Sequence, residues 1–153
     1  WNERRHVRMP EELFKRTFKI RSRNFDRAGE NSSEIKGILK GLNLDSEIIR
    51  RAVVVAFEAE MNVVMYAQVG TLTFLITDED IHIDVMDEGP GIPDIEQAMQ
   101  EGFSTATDEM REMGFGFGMG LPNIKKHSDT LKIESQVGKG TALSASIRLN
   151  SNA

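Results

Sequence analysis

Four short stretches of the sequence carry residue types whose spacing could do chemistry. In "AFEAEMN", Glu58 and Asn62 are four apart, so on a helix they lie on one face, one turn from each other. Val54, Val55, Met61 and Met65 make that helix strongly apolar. An unpaired buried carboxylate is costly or turns neutral, so the acid and the amide either point to a wet edge or line a site. Glu60 is assigned to a solvated stripe. In "IHIDVMDEGPGI", Ile81, Ile83, Val85 and Asp87 share one strand face by the period of two, and Asp87 carries an apolar row to its end. Gly89 and Gly91 allow positive φ and a close approach of backbone to a bound molecule, with Pro90 fixing the turn between them. The plainer alternative is a polar strand end before an ordinary turn.

The third stretch is "MGFGFGMGLPNI". Gly114, Gly116, Gly118 and Gly120 lead into a helix near Leu121, an arrangement that can turn successive backbone N–H groups toward an anion at a helix N-terminus. Neither Lys nor Ser/Thr follows the last glycine and no strand runs directly into the run, which sets aside the phosphate loop and the nicotinamide fingerprint. A flexible glycine loop is the alternative. The fourth is "GKGT", where Thr141 begins a strand face continued by Leu143, Ala145 and Ile147. Its hydroxyl either points inward or belongs to an ordinary tight turn.

The elements that must position these residues follow from periodicity. "TFKIR" (Thr17–Arg21) alternates as a short strand, and a helix follows with Asn31, Ser32 and Ser33 as candidate caps and Ile35, Ile38, Leu39 and Leu42 at helical spacing. A long apolar helix starts behind Asp45 or Ser46 and must be central. "TLTFLIT" and "IHIDVMD" form a hairpin around Asp78-Glu79-Asp80. "DIEQAMQEGF" is a short helix, Ser104–Met119 a loop without periodicity, and a helix from about Leu121 to His127 precedes two further strands, "TLKIESQV" and "TALSASIRL". The expected fold is an α+β two-layer sandwich, a mostly antiparallel mixed sheet with about three to four helices on one face.

The 153 residues suffice for one domain that buries about two thirds of the surface its unfolded chain exposes. No apolar run reaches the roughly 20 residues of a membrane span, so a water-soluble, cytoplasmic protein is expected. Without cysteines, and with only the scattered His6, His82 and His127, any metal would be oxygen-bound. A net charge of −5 argues against a nucleic-acid partner; the basic run around Arg4, Arg5, His6 and Arg8 is the local exception. Residues 1–16 are read as a tail or an expression remnant, and the start at Trp1 leaves a longer parent protein open.

Taken together, Glu-x-x-x-Asn, Asp-x-Gly-x-Gly, a glycine-rich lid and Gly-x-Gly-Thr, in this order, resemble the GHKL ATP-binding superfamily and its Bergerat fold over 17–150, with the lid at about 102–120. Within it, "DEGPGIPDIEQAMQEGFST" and "GLPNIKKHSD" are similar to the serine/threonine kinases of bacterial anti-sigma and partner-switching systems. The resemblance implies that Asp87, with Thr141 through water, receives the adenine amino group while Gly89 and Gly91 let the base approach. It also implies that Asn62 ligates Mg²⁺, and that Gly116, Gly118, Gly120 and Leu121 meet the phosphates of ATP. Ser104 and Thr105 would close over them, and Glu58 would be the catalytic base. The implied partners are a STAS-type antagonist protein as substrate and a sigma factor, with a homodimer as a further possibility. The lid is longer and richer in Met and Phe than that group suggests, and Met110, Met113, Phe115, Phe117 and Met119 form either a partner surface or a fold-back contact. Two other readings stay open: the ATP-binding domain of a sensor histidine kinase, and a nucleotide-dependent sequestering regulator with little turnover.

Overall fold

The computed structural model describes residues 9–22, 24–103 and 120–149. In chain order these form β1 (Glu12–Arg21), a 3-10 turn (Phe25–Arg27), α1 (Glu30–Gly41), α2 (Ser46–Tyr66), β2 (Val69–Thr77) and β3 (Asp80–Glu88). Then come α3 (Ile95–Ala98), α4 (Gly120–His127), β4 (Thr130–Gln136) and β5 (Gly140–Arg148). The strands form one sheet in the order β1-β2-β3-β5-β4. Every pairing among the described residues is antiparallel, the limiting case of the mostly antiparallel sheet expected.

One apolar face of this sheet is covered by α2. Ala52, Val55, Ala59 and Val63 of the helix join Phe18, Leu72, Phe74, Ile81, Ile83 and Ile147 of the strands in a single buried cluster. Each large side chain fully withdrawn from water contributes about 1.5–3 kcal/mol. The α+β sandwich read from periodicity is therefore the fold observed. As expected, Asp45 caps α2, its carboxylate accepting from the Glu47 N–H at 2.9 Å.

Three local features differ from the sequence reading. β1 begins at Glu12 rather than Thr17, because Phe14 packs on Phe74 with ring centroids 6.1 Å apart, and a register irregularity between Glu12 and Phe14 hides the alternation. The short helix after Asp94 stops at Ala98. The Gln100 and Phe103 N–H groups turn back to Gln97 and Gln100, and Gly102 sits at φ 85°. Finally, none of Asn31, Ser32 and Ser33 caps α1. The helix starts one residue earlier, behind Gly29 at φ 88° and without a side-chain cap of its own.

The missing cap comes from α2. Glu60, expected on a solvated stripe, is 2% exposed, and its carboxylate accepts from the Asn31 and Ser32 N–H groups at 3.3 and 3.2 Å. Unsatisfied N–H groups and a partial positive charge at the start of α1 give a buried anion its partners. Burial pushes this carboxyl's pKa up, and the two N–H groups draw it back.

The expected lid, with Ser104, Thr105, Gly116, Gly118 and the Met/Phe positions from Met110 to Met119, lies outside the described residues, as does the basic run from Arg4 to Arg8.

Candidate functional site

Two helices lie antiparallel and present one stripe each to the other. On α2, positions 51, 58 and 62 are seven and four apart and fall on one line along the helix. Arg51 at one end donates to the His127 carbonyl at 3.0 Å and pairs with Asp129 at 3.2 Å, which fastens the C-terminus of α4. One turn on, the Asn123 amide donates to Glu58 Oε1 at 3.5 Å. At the far end Gly120 opens α4 against the acid and the amide: a Cβ built there would stand 3.2 Å from Glu58 Oε2 and 3.3 Å from Asn62 Oδ1. The pair thus turns two oxygens toward the N-terminus of a helix, and the want of a side chain at Gly120 keeps the space between them open. Leu121 follows, half-buried against the core.

Glu58 is half-buried. Burial pushes its pKa above the ordinary carboxylate value, while the Asn123 amide and nearby His127 pull it back. Glu58 also lines a cleft of about 660 Å³ between α2 and the start of α1, together with Arg27, Ser33, Lys36, Val53 and Phe57. Glu58 therefore borders both the Gly120 side, where its carboxylate lies, and an open groove.

The second half of the site is a row across the sheet. Asp87 on β3 pairs in register with Thr141 on β5, and Thr141 with Ser135 on β4. Asp87 Oδ1 accepts from the Thr141 N–H at 3.2 Å. Burial raises the pKa of Asp87 and that N–H lowers it. The turn after β3 is clasped to the turn between β4 and β5: Gly138 N–H donates to the Pro90 carbonyl at 2.9 Å and Gly89 N–H to that of Lys139 at 3.3 Å. Gly91 sits at φ 75°, and a Cβ there would meet the Gln136 carbonyl oxygen at 2.5 Å; one on Gly89 would meet Ala67 Cα at 3.0 Å. The backbone of the Gly89–Gly91 turn is held at the end of the row by these contacts.

Spacing paired Glu58 with Asn62 and the strand period singled out Asp87 and Thr141; the structure adds Gly120 to the first pair and sets the second pair opposite each other, and two further residues were passed over. Ser135 Oγ accepts from the Ile92 N–H at 2.7 Å and lies 2.8 Å from Thr141 Oγ1. The signal was present: Leu131, Ile133 and Ser135 share a strand face by the period of two, the rule that selected Asp87 and Thr141. Asn123 was visible only as part of a short helix, since its meeting with Glu58 is tertiary. Among the described residues no three His, Cys, Asp or Glu side chains gather as a metal site, and no helix is long and apolar enough to cross a membrane.

Residues 45–151 match the family described as histidine kinase-, DNA gyrase B- and HSP90-like ATPases. An anti-sigma F factor of Caldanaerobacter subterraneus subsp. tengcongensis is 36% identical over 96 residues, 63% of this chain and 59% of that protein. An anti-sigma F factor of Geobacillus stearothermophilus is 30% identical over 118 residues, 77% and 70% of the two chains. The serine/threonine-protein kinase RsbT of Bacillus subtilis is 35% identical over 92 residues, 58% of this chain and 63% of its own. The matched region spans about three fifths of the length of several of these curated relatives, for example 59% and 61% of two anti-sigma F factors. The family match takes in α2 with its acid and amide, the strand row and α4, and so covers both halves of the site. This chain belongs to the family of histidine kinase-, DNA gyrase B- and HSP90-like ATPases.

Proposed function

We propose that the protein is an ATP-dependent serine/threonine kinase of a bacterial anti-sigma or partner-switching system, passing the terminal phosphate of ATP to a Ser or Thr of an antagonist protein of the STAS type. The observation that carries the reading is Glu58, whose carboxylate lies beside Gly120 with Asn62 and which also lines an open cleft. A carboxylate so placed can receive the proton of an acceptor hydroxyl entering by the cleft. The names of the relatives support both halves of the proposal, the kinase and the sigma-factor partner.

The residues present fit a magnesium nucleotide. Asn62 Oδ1 is a neutral, hard oxygen beside the open space at Gly120, the kind of single protein ligand that suffices when phosphates supply others. Gly120 and Leu121, at the start of α4, bring backbone N–H groups that favour an anion. Asp87, with Oδ1 already accepting from Thr141, keeps Oδ2 for the amino group of adenine. Ser104, Thr105, Gly116 and Gly118 would add to the phosphate side, and Gly89 and Gly91 would form the edge over the base. Bound Mg²⁺-ATP supplies an activated phosphoryl group with part of its charge neutralised.

Incubation with γ-labelled ATP and a STAS-type antagonist protein tests the proposal; label on a serine or threonine of that protein is expected. Label on histidine would favour the histidine-kinase reading, and tight nucleotide binding with no transfer would favour the sequestering regulator.

Two binding experiments test the parts. Asp87→Asn should keep the bond from the Thr141 N–H through its amide oxygen and turn two donors toward the adenine amino group, a mismatch of about 1–3 kcal/mol. ADP affinity measured by calorimetry should fall about tenfold or more; unchanged affinity in a folded variant would remove the adenine assignment. Gly120→Ala should separate binding from stability. Alanine is the better helix former, though at this first helical position by less than the interior figure of about 1 kcal/mol, and its methyl would press on Glu58 Oε2 and Asn62 Oδ1 at once. The melting temperature should hold or rise while Mg-ATP affinity drops about tenfold. Undiminished ATP binding would show that phosphate does not lie there.

A further inference from the structure

We infer that Arg51 is a positioning residue for the phosphate end of the site: from the far end of α4 it holds the tilt of that helix, and with it the narrow space between Gly120, Glu58 and Asn62. The inference rests on the Mg-nucleotide reading above and extends it to a residue that touches neither nucleotide nor metal.

Arg51 stands on the same line of α2 as Glu58 and Asn62, and one edge of its guanidinium meets two acceptors. Nε–H donates to the His127 carbonyl at 3.0 Å, and Nη2 lies 3.2 Å from Asp129 Oδ1. The first acceptor belongs to the last residue of α4, where carbonyls lack helical partners and a cation is favoured. The second is fixed to the sheet. Asp129 Oδ2 accepts from the Arg148 N–H at 2.7 Å, and the Asp129 N–H donates to the Ser146 carbonyl at 2.8 Å. A planar fork on two acceptors from separate residues sets a direction as well as a distance, which a lysine ammonium cannot do.

The other ties of α4 among the described residues leave its ends looser. Ile124, in the middle, is fully buried, while Leu121 is only half-buried. The Asn123 amide reaches Glu58 at 3.5 Å, and the exposed Arg50 reaches the His127 ring at 3.4 Å. Ile124 is therefore a pivot, and Arg51 is the stay that keeps α4 from turning about it. Gly120 lies four residues to one side of Ile124 and His127 three to the other, arms of about 6 Å and about 4.5 Å at the helical rise. A shift at the Arg51 end thus reappears slightly enlarged at Gly120. The space there has no such margin, since a Cβ on Gly120 would stand only 3.2 Å from Glu58 Oε2 and 3.3 Å from Asn62 Oδ1.

The test is a pair of double-mutant cycles, read by calorimetry as affinity for a non-hydrolysable Mg-ATP analogue. Arg51→Lys is combined with Gly120→Ala in one cycle and with Asp87→Asn, in the other half of the site, in the second. Arg51→Lys alone should weaken binding about tenfold. The loss of about tenfold expected of Gly120→Ala should shrink to about threefold or less in the Arg51→Lys background, because a released α4 can tilt away from the added methyl. Asp87→Asn should cost the same in both backgrounds. Separate sites about 10 Å apart ordinarily add, so coupling confined to Gly120 reports the tilt of α4, whereas a residue that only stabilises the fold gives additive effects in both cycles. Asp129→Asn keeps an acceptor for the Arg148 N–H but turns an amide toward Arg51; combined with Gly120→Ala it gives the same reading where Arg51→Lys folds poorly. Unchanged affinity in Arg51→Lys, additive effects at Gly120, or equal coupling to Gly120 and Asp87 would overturn the inference and leave Arg51 as a structural tie. A wild type that does not bind the analogue, or a Gly120→Ala variant that binds it undiminished, would overturn the phosphate reading itself, and the inference with it.

Discussion

Glu58→Gln is expected to slow phosphate transfer at least about a hundredfold, the scale of a lost general base, while Mg-ATP affinity stays within about twofold. The substitution is nearly isosteric, and a glutamine Oε1 still accepts from the Asn123 amide, so the antiparallel seam between α2 and α4 is kept. What disappears is the capacity to take up a proton. Two further readouts follow from the raised pKa of Glu58. The wild-type rate should climb with pH through a pKa above the ordinary glutamate value, and the variant should lose that limb. A carboxyl whose folded pKa is raised lends stability below its unfolded pKa and loses it as pH rises through the folded one, because the folded state then holds fewer protons than it favours. Glutamine has no such loss, so the variant should melt at or above the wild-type temperature at neutral pH. A slower enzyme that is also sturdier marks a residue kept for its chemistry. Equal loss of rate and of Mg-ATP binding would show instead that Glu58 holds the site's shape.

Gly140→Ala is expected to cost about 3 kcal/mol or more, enough to unfold a domain of ordinary stability under mild urea. A Cβ at this position would stand 2.0 Å from the Asp87 carbonyl oxygen, and its φ is 151°. The obstacle is backbone in the neighbouring strand, so it cannot rotate away. β3 and β5 would have to part where Glu88 pairs with Gly140, beside the row that holds Asp87 and Thr141. Gly138→Ala is the control: φ is 81° there but nothing lies within 4 Å of the added carbon, so only the conformational cost of about 1 kcal/mol applies. Urea unfolding of both variants separates close approach from backbone strain. Similar small losses in the two would mean that the strands yield easily, and that the row of Asp87, Thr141 and Ser135 is softer than its contacts suggest.

Much of this arrangement was readable from periodicity. Asp87 and Thr141 each end an apolar row of period two, and the structure sets them opposite each other. Glu58 and Asn62 are one helical turn apart, which predicted a common face but not what faces it; that Gly120 and Asn123 do so depends on α4 packing on α2. Ser135 obeys the same strand rule, but its link to Asp87 runs through Thr141 on the neighbouring strand, a pairing that only the sheet order reveals. The start of β1 was hidden by Leu13 and Phe14 standing side by side where a strict alternation would separate them. Glu60 was misplaced for a different reason. Local sequence assigns charge to water, and only tertiary structure could reveal N–H groups from another helix waiting for it.

That carboxylate has a mechanical consequence. Glu58 and Glu60 are two residues apart on α2 and so point in nearly opposite directions, the first toward Gly120 and the second beneath the opening turn of α1. Turning α2 about its own axis by one residue, about 100°, would pull Glu60 off both N–H groups and leave a charge stranded among apolar side chains. α1 thus acts as a key in a slot that fixes the azimuth of the helix bearing Glu58. Axial rotation is closed as a way to swing that carboxylate in or out of line, and any partner that redirects it must shift α1 and α2 as a single lever or act on the side chain alone.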